Sequence, residues 1–161
     1  LDFTETDDAS NRPMGDNGFT MVDSGQVTWE FDFNWIRSGS EGTYRLFMQL
    51  GDGASMSTSS QNAGVGVNLI WTKTSGNNHQ MLASRDGGTN TPIVQVSGLH
   101  TVTIVADLDT FTYSVSVDAA LQQSNISFDQ NVGLDTVRFF TDALNDNNFS
   151  VQRFDNVLIM R

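Results

Sequence analysis

Val27-Thr28-Trp29-Glu30-Phe31-Asp32-Phe33-Asn34-Trp35-Ile36 is the stretch on which the fold turns. It sets Val27, Trp29, Phe31, Phe33 and Trp35 on one side and Thr28, Glu30, Asp32 and Asn34 on the other. A helix face cannot carry an alternation of period two; a half-buried strand does. One aromatic side and one wet side describe an antiparallel sheet that packs on a core and leaves its other face to water.

The same pattern recurs outward from this strand. In Thr43 to Leu50, Tyr44, Leu46, Met48 and Leu50 oppose Arg45, Phe47 and Gln49. In Val65 to Lys73, Val65, Val67, Leu69 and Trp71 oppose Gly66, Asn68, Ile70 and Thr72. Further strands are expected at His79 to Ser84, Ile93 to Val96, Thr101 to Asp107, Phe111 to Asp118, Val137 to Thr141 and Phe149 to Met160, short β-branched or aromatic runs bounded by turn residues. Asp118 to Asn125 (DAALQQSN) reads as a helical turn or two. Gly51 to Gly64, rich in Ser, Thr and Gly, reads as a long mobile loop, either functional or a tolerated surface insertion. About ten strands with no helices between them predict an all-β fold, a two-sheet antiparallel β-sandwich.

The 161 residues, 38% of them apolar, suit a single domain over 1–161 with one core. Nineteen acidic against eight basic residues give a formal charge of -11, which repels a phosphate backbone and anionic lipid, so neither nucleic acid nor membrane is expected as a partner. No apolar run approaches the roughly 20 residues of a spanning helix. There is no cysteine, so disulfides contribute nothing. An opening at Leu1 without Met or a leader reads as a module excised from a larger protein. Abundant Asp and Asn with one Lys suit a secreted or cell-surface protein from a salty, marine bacterial setting.

Leu99 to Asp118, LHTVTIVADLDTFTYSVSVD, resembles a hairpin of laminin G-like and concanavalin A-like jelly rolls. Arg153-Phe154-Asp155-Asn156-Val157-Leu158-Ile159 resembles the closing strand of carbohydrate-binding modules from secreted bacterial polysaccharide-degrading enzymes, and Asp2-Phe3-Thr4-Glu5 their opening strand. The resemblance implies that the first and last strands pair, that a structural calcium is held by Asp2, Glu5 and Asp155, and that the ligand is a polysaccharide or oligosaccharide. It further implies a monomer tethered to a catalytic domain. Carboxylate oxygens suit Ca²⁺, although the same three residues also read as ordinary exposed acids in an acidic chain.

A catalytic set is incomplete. Jelly-roll glycoside hydrolases carry Glu-x-Asp-x-x-Glu; here Glu30 and Asp32 are followed by Trp35, and the acid/base role has no occupant. Lyases of this fold need a phenolic or basic group to take a proton, with Arg, Gln or Asn to neutralise charge. Tyr44 and Tyr113 fall on apolar sides, His79 stands in a polar setting, and His100 precedes a strand as a solvated turn residue.

The scarce cations Arg45, Lys73, His79 and Arg85, with Arg37, come from consecutive hairpin segments. They read either as a cluster selecting a carboxylated or sulfated sugar or as separate partners of surface acids. Trp71 could add a stacking plane, but alternation puts it in the core, so a platform there requires a bulge or a strand end. The expected ligand-binding set is Arg45, Trp71, Lys73, His79 and Arg85, with no catalytic residue. A small lyase or hydrolase of the same fold and a structural or adhesive surface module are the other readings.

Overall fold

The computed structural model describes residues 2–4, 12–37, 43–56, 63–73, 79–84, 91–94, 98–144 and 150–161; for 2–4, 12–17, 35–37, 43–45, 73, 79, 140–144 and 150–156 it describes the backbone. Every described element is a strand. In chain order they are β1 (Asp2–Thr4), β2 (Arg12–Val22), β3 (Gln26–Arg37), β4 (Thr43–Gly51), β5 (Val65–Lys73), β6 (His79–Ala83), β7 (Thr91–Val94), β8 (Leu99–Asp107), β9 (Thr112–Val117), β10 (Ala120–Ser127), β11 (Leu134–Leu144) and β12 (Ser150–Met160). They form two six-stranded sheets, β1-β12-β3-β8-β9-β10 (the first sheet) and β2-β11-β4-β5-β6-β7 (the second). The pairings are antiparallel.

The alternation in β3 is borne out, because Val27, Trp29, Phe31 and Phe33 are buried while Thr28, Glu30, Asp32 and Asn34 stay half-exposed. They meet the inward side chains of the second sheet through ring contacts. Trp29 and Phe139 lie 5.6 Å apart, Phe31 meets Phe139 edge-on at 6.0 Å, and Phe33 meets Trp71 edge-on at 4.9 Å. Edge-on contact sets the positive ring edge against the negative face, so these pairs add directionality to apolar burial. Leu46, Met48, Leu50, Val67, Leu69, Val102, Ile104, Val115 and Val117 complete the same core.

The helical reading of Asp118 to Asn125 is corrected. Val117 pairs with Ala120, leaving a two-residue turn in which Asp118 and Ala119 have φ of 50° and 63°, and the chain continues as β10. Two successive positive φ values fit the right-handed twist of a hairpin. The Asp118 carboxylate outweighs local helix propensity by accepting the Thr101 backbone N–H at 3.0 Å and meeting His100 Nδ1 at 2.7 Å. His100 is thus a held residue of β8, not a solvated turn residue. Its contact, with the Thr101 N–H second, keeps the Asp118 carboxyl below the ordinary 3.8.

At the other end of β9, in the turn that joins it to β8, the Asp107 carboxylate accepts the Asp109 and Thr110 backbone N–H groups and the Gln26 amide. The Gln26 bond is the main reason its carboxyl is held below 3.8. The long segment after β4 begins as a tied turn: Asp52 N–H donates to Gly64 O at 2.8 Å, and the Asp52 carbonyl accepts from Ser55 and Met56. Gly64 has φ of 72°, and a Cβ there would lie 2.6 Å from Met56 N, so only glycine closes this neck. Residues 57–62 of the expected mobile loop lie outside the described residues.

Candidate functional site

Register turns the alternation of the second sheet into transverse rows. Its inward positions fill the core. Its outward positions place Arg138 of β11 opposite Gln49 of β4, and Gln49 opposite Asn68 of β5. One step along, Phe47, Ile70 and Leu82 of β4, β5 and β6 lie side by side as a separate apolar cluster. The next row brings Arg45, Thr72 and Gln80 into register.

The polar row is bonded and enclosed. Gln49 Nε2 donates to Asn68 Oδ1 at 3.0 Å, and Asn68 Nδ2 donates to Asp129 Oδ2 at 3.2 Å. An ionised carboxylate only accepts, so Asp129 fixes which way the Asn68 amide faces, and Asn68 then orients Gln49. Asp129 is delivered by the segment after β10, whose Asp129 and Gln130 N–H groups donate to Gly66 O and Val65 O at the start of β5. Gln49 and Asn68 are 0% exposed and Arg138 4%. Polar groups this deep stay because they are bonded, so the Gln49–Asn68–Asp129 bonds tie β4, β5 and the segment after β10 in one register. Sequence alternation showed Gln49 and Asn68 facing away from the core; the signal that this side is also covered was the apolar Phe47 and Ile70 in phase with them.

The expected binding residues separate. Register sets Lys73 directly opposite His79 and Arg45 opposite Thr72, so all three positions occupy the same end of β4, β5 and β6. Their phases differ: Arg45 repeats with Phe47 and Gln49, Lys73 and His79 with Trp71 and Met81. Their side chains, and Arg85 altogether, lie outside the described residues. Trp71 is corrected as a sugar platform. It is 1% exposed and packs on Phe33, because no bulge interrupts β5 at that point, and neither ring face is open to a ligand.

Hydrolase and lyase roles find little among the described residues. Glu30 accepts the Thr103 hydroxyl at 2.9 Å and Asp32 the Thr101 hydroxyl at 2.6 Å, cross-strand bonds of an outer sheet face. Tyr113 is buried with no hydrogen-bond partner for its hydroxyl. Burial, with the Asp129 charge second, pushes its phenol far above the ordinary 10.0. A phenol that resists ionisation and lies out of reach is not a proton-abstracting base. The side chains of Tyr44 and His79 lie outside the described residues.

The expected pairing of first and last strands is present, with Asp2 of β1 opposite Arg153 of β12. Asp155 lies two positions further along β12. The side chains of Asp2 and Asp155, and all of Glu5, lie outside the described residues. No group of three potential metal ligands occurs among the described side chains. No helix among the described residues is long and apolar enough to cross a membrane.

Two packed antiparallel sheets in this arrangement define a concanavalin A-like jelly-roll sandwich, and comparison with solved structures gives the same class. A sialidase matches over 99% of this chain and 15% of its own, with TM-score 0.70 and 13% identity. The alginate lyase AlyC3 matches over 99% of this chain and 74% of its own, with TM-score 0.61 and 9% identity, and has also been solved with dimannuronate. The alginate lyase AlyA1 of Zobellia galactanivorans matches over 86% of this chain and 62% of its own, with TM-score 0.55 and 11% identity. These neighbours are carbohydrate-active proteins; at such identities the likeness is one of fold. The chain spans a small part of the sialidase and under two thirds of AlyA1. No protein-family model matches the chain. No curated protein sequence matches it either.

Proposed function

We propose that this domain is a non-catalytic carbohydrate-binding module of a secreted or cell-surface protein, engaging an anionic polysaccharide at the β4–β5–β6 end of the second sheet. The observation that carries this reading is register: Arg45, Lys73 and His79 fall at neighbouring positions of three adjacent strands in a chain of charge -11. Although Arg45 differs in phase from Lys73 and His79, all three positions fall at one strand end, and cations so scarce gain little by that placement unless an anion is bound at the rim. The fold it shares with a sialidase and with alginate lyases, one of them solved with dimannuronate, supports a uronate or similarly charged sugar. Arg85 is proposed for the same site. Asp2, Glu5 and Asp155 are proposed to hold a structural calcium whose carboxylate donors suit a hard cation.

Affinity electrophoresis of the isolated domain in gels containing alginate, a sulfated galactan or a neutral glucan tests the reading. Retardation by an anionic gel that fades with salt, and with Arg45→Ala, is expected, because exposed charge pairs are screened over about 8 to 10 Å at physiological ionic strength. Retardation by the neutral gel alone, or by none, refutes it. The second reading, a small lyase, is favoured by the likeness spanning 74% of AlyC3. Release of unsaturated uronate, read by its ultraviolet absorbance, would establish that reading in place of the first.

A further inference from the structure

Six methionines and no cysteine make thioethers the only sulfur this chain offers to an oxidant. The fold divides them. Met48 on β4 and Met81 on β6 belong to the core and are 0% exposed. Met56, 9% exposed, sits in the neck after β4, where a Cβ on Gly51 would lie 2.6 Å from its methyl carbon. Met21 and Met160 are instead exposed by 44% and 42%. The Met14 side chain lies outside the described residues.

Two irregularities bring Met21 and Met160 to the surface. A bulge between Asp155 and Leu158 resets β12, so that Met160, opposite Thr28, faces outward on the first sheet while Ile159 packs against the core. On β2 the register shifts between Gly18, opposite Thr136, and Val22, opposite Leu134, and Met21 falls inside that shift. Its sulfur is held close to the chain: a Cβ on Gly133 would lie 2.7 Å from Met21 Sδ, so the thioether rests on the glycine backbone just before β11. The two residues are equally exposed, yet one of them leans on a glycine.

We propose that Met160 is a site of reversible oxidation to the sulfoxide by a hydroperoxide, and that Met21 is a second site whose access is set by its contact with Gly133. The thioether sulfur attacks one peroxide oxygen, and the O–O bond breaks as the S–O bond forms. The transferred oxygen gives its proton to the departing hydroxide, which leaves as water; sulfur is oxidised and the peroxide reduced. Water solvates the new sulfoxide at Met160, whereas in the core the same group would need a hydrogen-bond partner among apolar side chains. Met48 and Met81 therefore react only when the sandwich opens. Leu158, in phase with Met160 on β12, is 46% exposed, so oxidation turns one end of an exposed apolar pair polar. Methionine sulfoxide reductases, one for each sulfoxide epimer, reverse the change.

Treatment of the folded domain with dilute hydrogen peroxide, quenched at intervals and read by peptide mass, tests this. Met160 is expected to oxidise first and Met21 after it, both at least about tenfold faster than Met48 and Met81. Met160→Leu should abolish the first event and leave the Met21 rate unchanged. Gly133 is not at positive φ, so Gly133→Ala should keep the fold, push the Met21 sulfur outward and raise its rate to that of Met160. Both reductases with a thiol reductant should return the two residues to methionine in the folded domain. Oxidation of Met48 or Met81 as fast as that of Met160, or a sulfoxide at Met160 that the reductases leave in place, would overturn the inference. So would an unchanged Met21 rate in Gly133→Ala, or a rise in that variant shared by Met48 and Met81.

Discussion

Asn68→Asp is the most searching perturbation of the second sheet, because it changes one atom's bonding role and almost nothing of shape. Asn68 is enclosed, accepting from Gln49 and donating to Asp129. In the variant one carboxyl oxygen still accepts from Gln49, but the atom facing Asp129 has no proton to give once ionised. Burial and a neighbouring carboxylate both raise the new group's pKa, by about 3 units or more at such sites. The folded value then exceeds the unfolded one, so the variant matches the wild type in acid and loses stability as pH rises towards the folded value. Protonating a carboxyl of intrinsic pKa about 3.9 at pH 7 costs about 4 kcal/mol, which caps the loss. The half-exposed Asp129 lets water screen part of the repulsion, so about 2–4 kcal/mol is expected near neutrality and about 1 kcal/mol near pH 4.5. Urea unfolding followed by tryptophan fluorescence reads this as a midpoint about 1–2 M lower at neutral pH, given a slope of about 2 kcal/mol per molar. Asn68→Ala is the control. It leaves the Gln49 amide without this acceptor and should cost about 2–4 kcal/mol at either pH. A pH-independent loss in Asn68→Asp would refute the bonded row.

Phe33→Ala should cost about 3–5 kcal/mol in the same assay, towards the upper end because the edge-on contact with Trp71 goes with it, and a loss under about 1 kcal/mol would mean β3 is out of register. Ala119→Gly should raise stability by about 0.5–1 kcal/mol, since a β-carbon at positive φ is strained, and a destabilised variant would contradict the two-residue turn. Exhaustive chelation should lower the melting temperature if Asp2, Glu5 and Asp155 bind calcium, because a ligand of the folded state alone stabilises it; an unchanged transition with no metal by elemental analysis removes that site.

Legibility in the sequence followed burial. β3, β4, β5 and β9 could be read because each carries one apolar side that a one-residue slip would turn out to water. β2 escaped because Arg12–Val22 contains Pro13, Gly15 and Gly18, which the interior of a sheet excludes; β2 lies at the edge of the second sheet, where they are tolerated. β10 escaped for a similar reason. ALQQSNIS has helix formers and no alternation, and its two register shifts against β9 are what an edge strand permits. The expected site was legible only as a set of cations near one another in sequence. Phase could be read for Trp71, and the structure sides with phase over the wish for an aromatic platform.

The enclosure of the second sheet also bears on where a glycan can act. Gln49, Asn68 and Arg138 have the chemistry of a sugar site, two amides and a guanidinium in one row, yet their donors are spent or buried within the protein, and a ligand would have to break the Asn68–Asp129 contact to use them. Breaking a buried bond costs about as much as one new sugar contact returns, so the row is better suited to fixing strand register than to recognition. Under the proposed function, recognition on this sheet falls to the strand ends, where Lys73 lies directly opposite His79 and Arg45, opposite Thr72, is one position away in register. The two contributions separate experimentally. Arg45→Ala should alter glycan retention and leave unfolding near the wild type, whereas Asn68→Ala should lower stability and, well below its melting temperature, leave retention intact. A single variant that changed both to the same degree would mean that the row and the strand ends are one site.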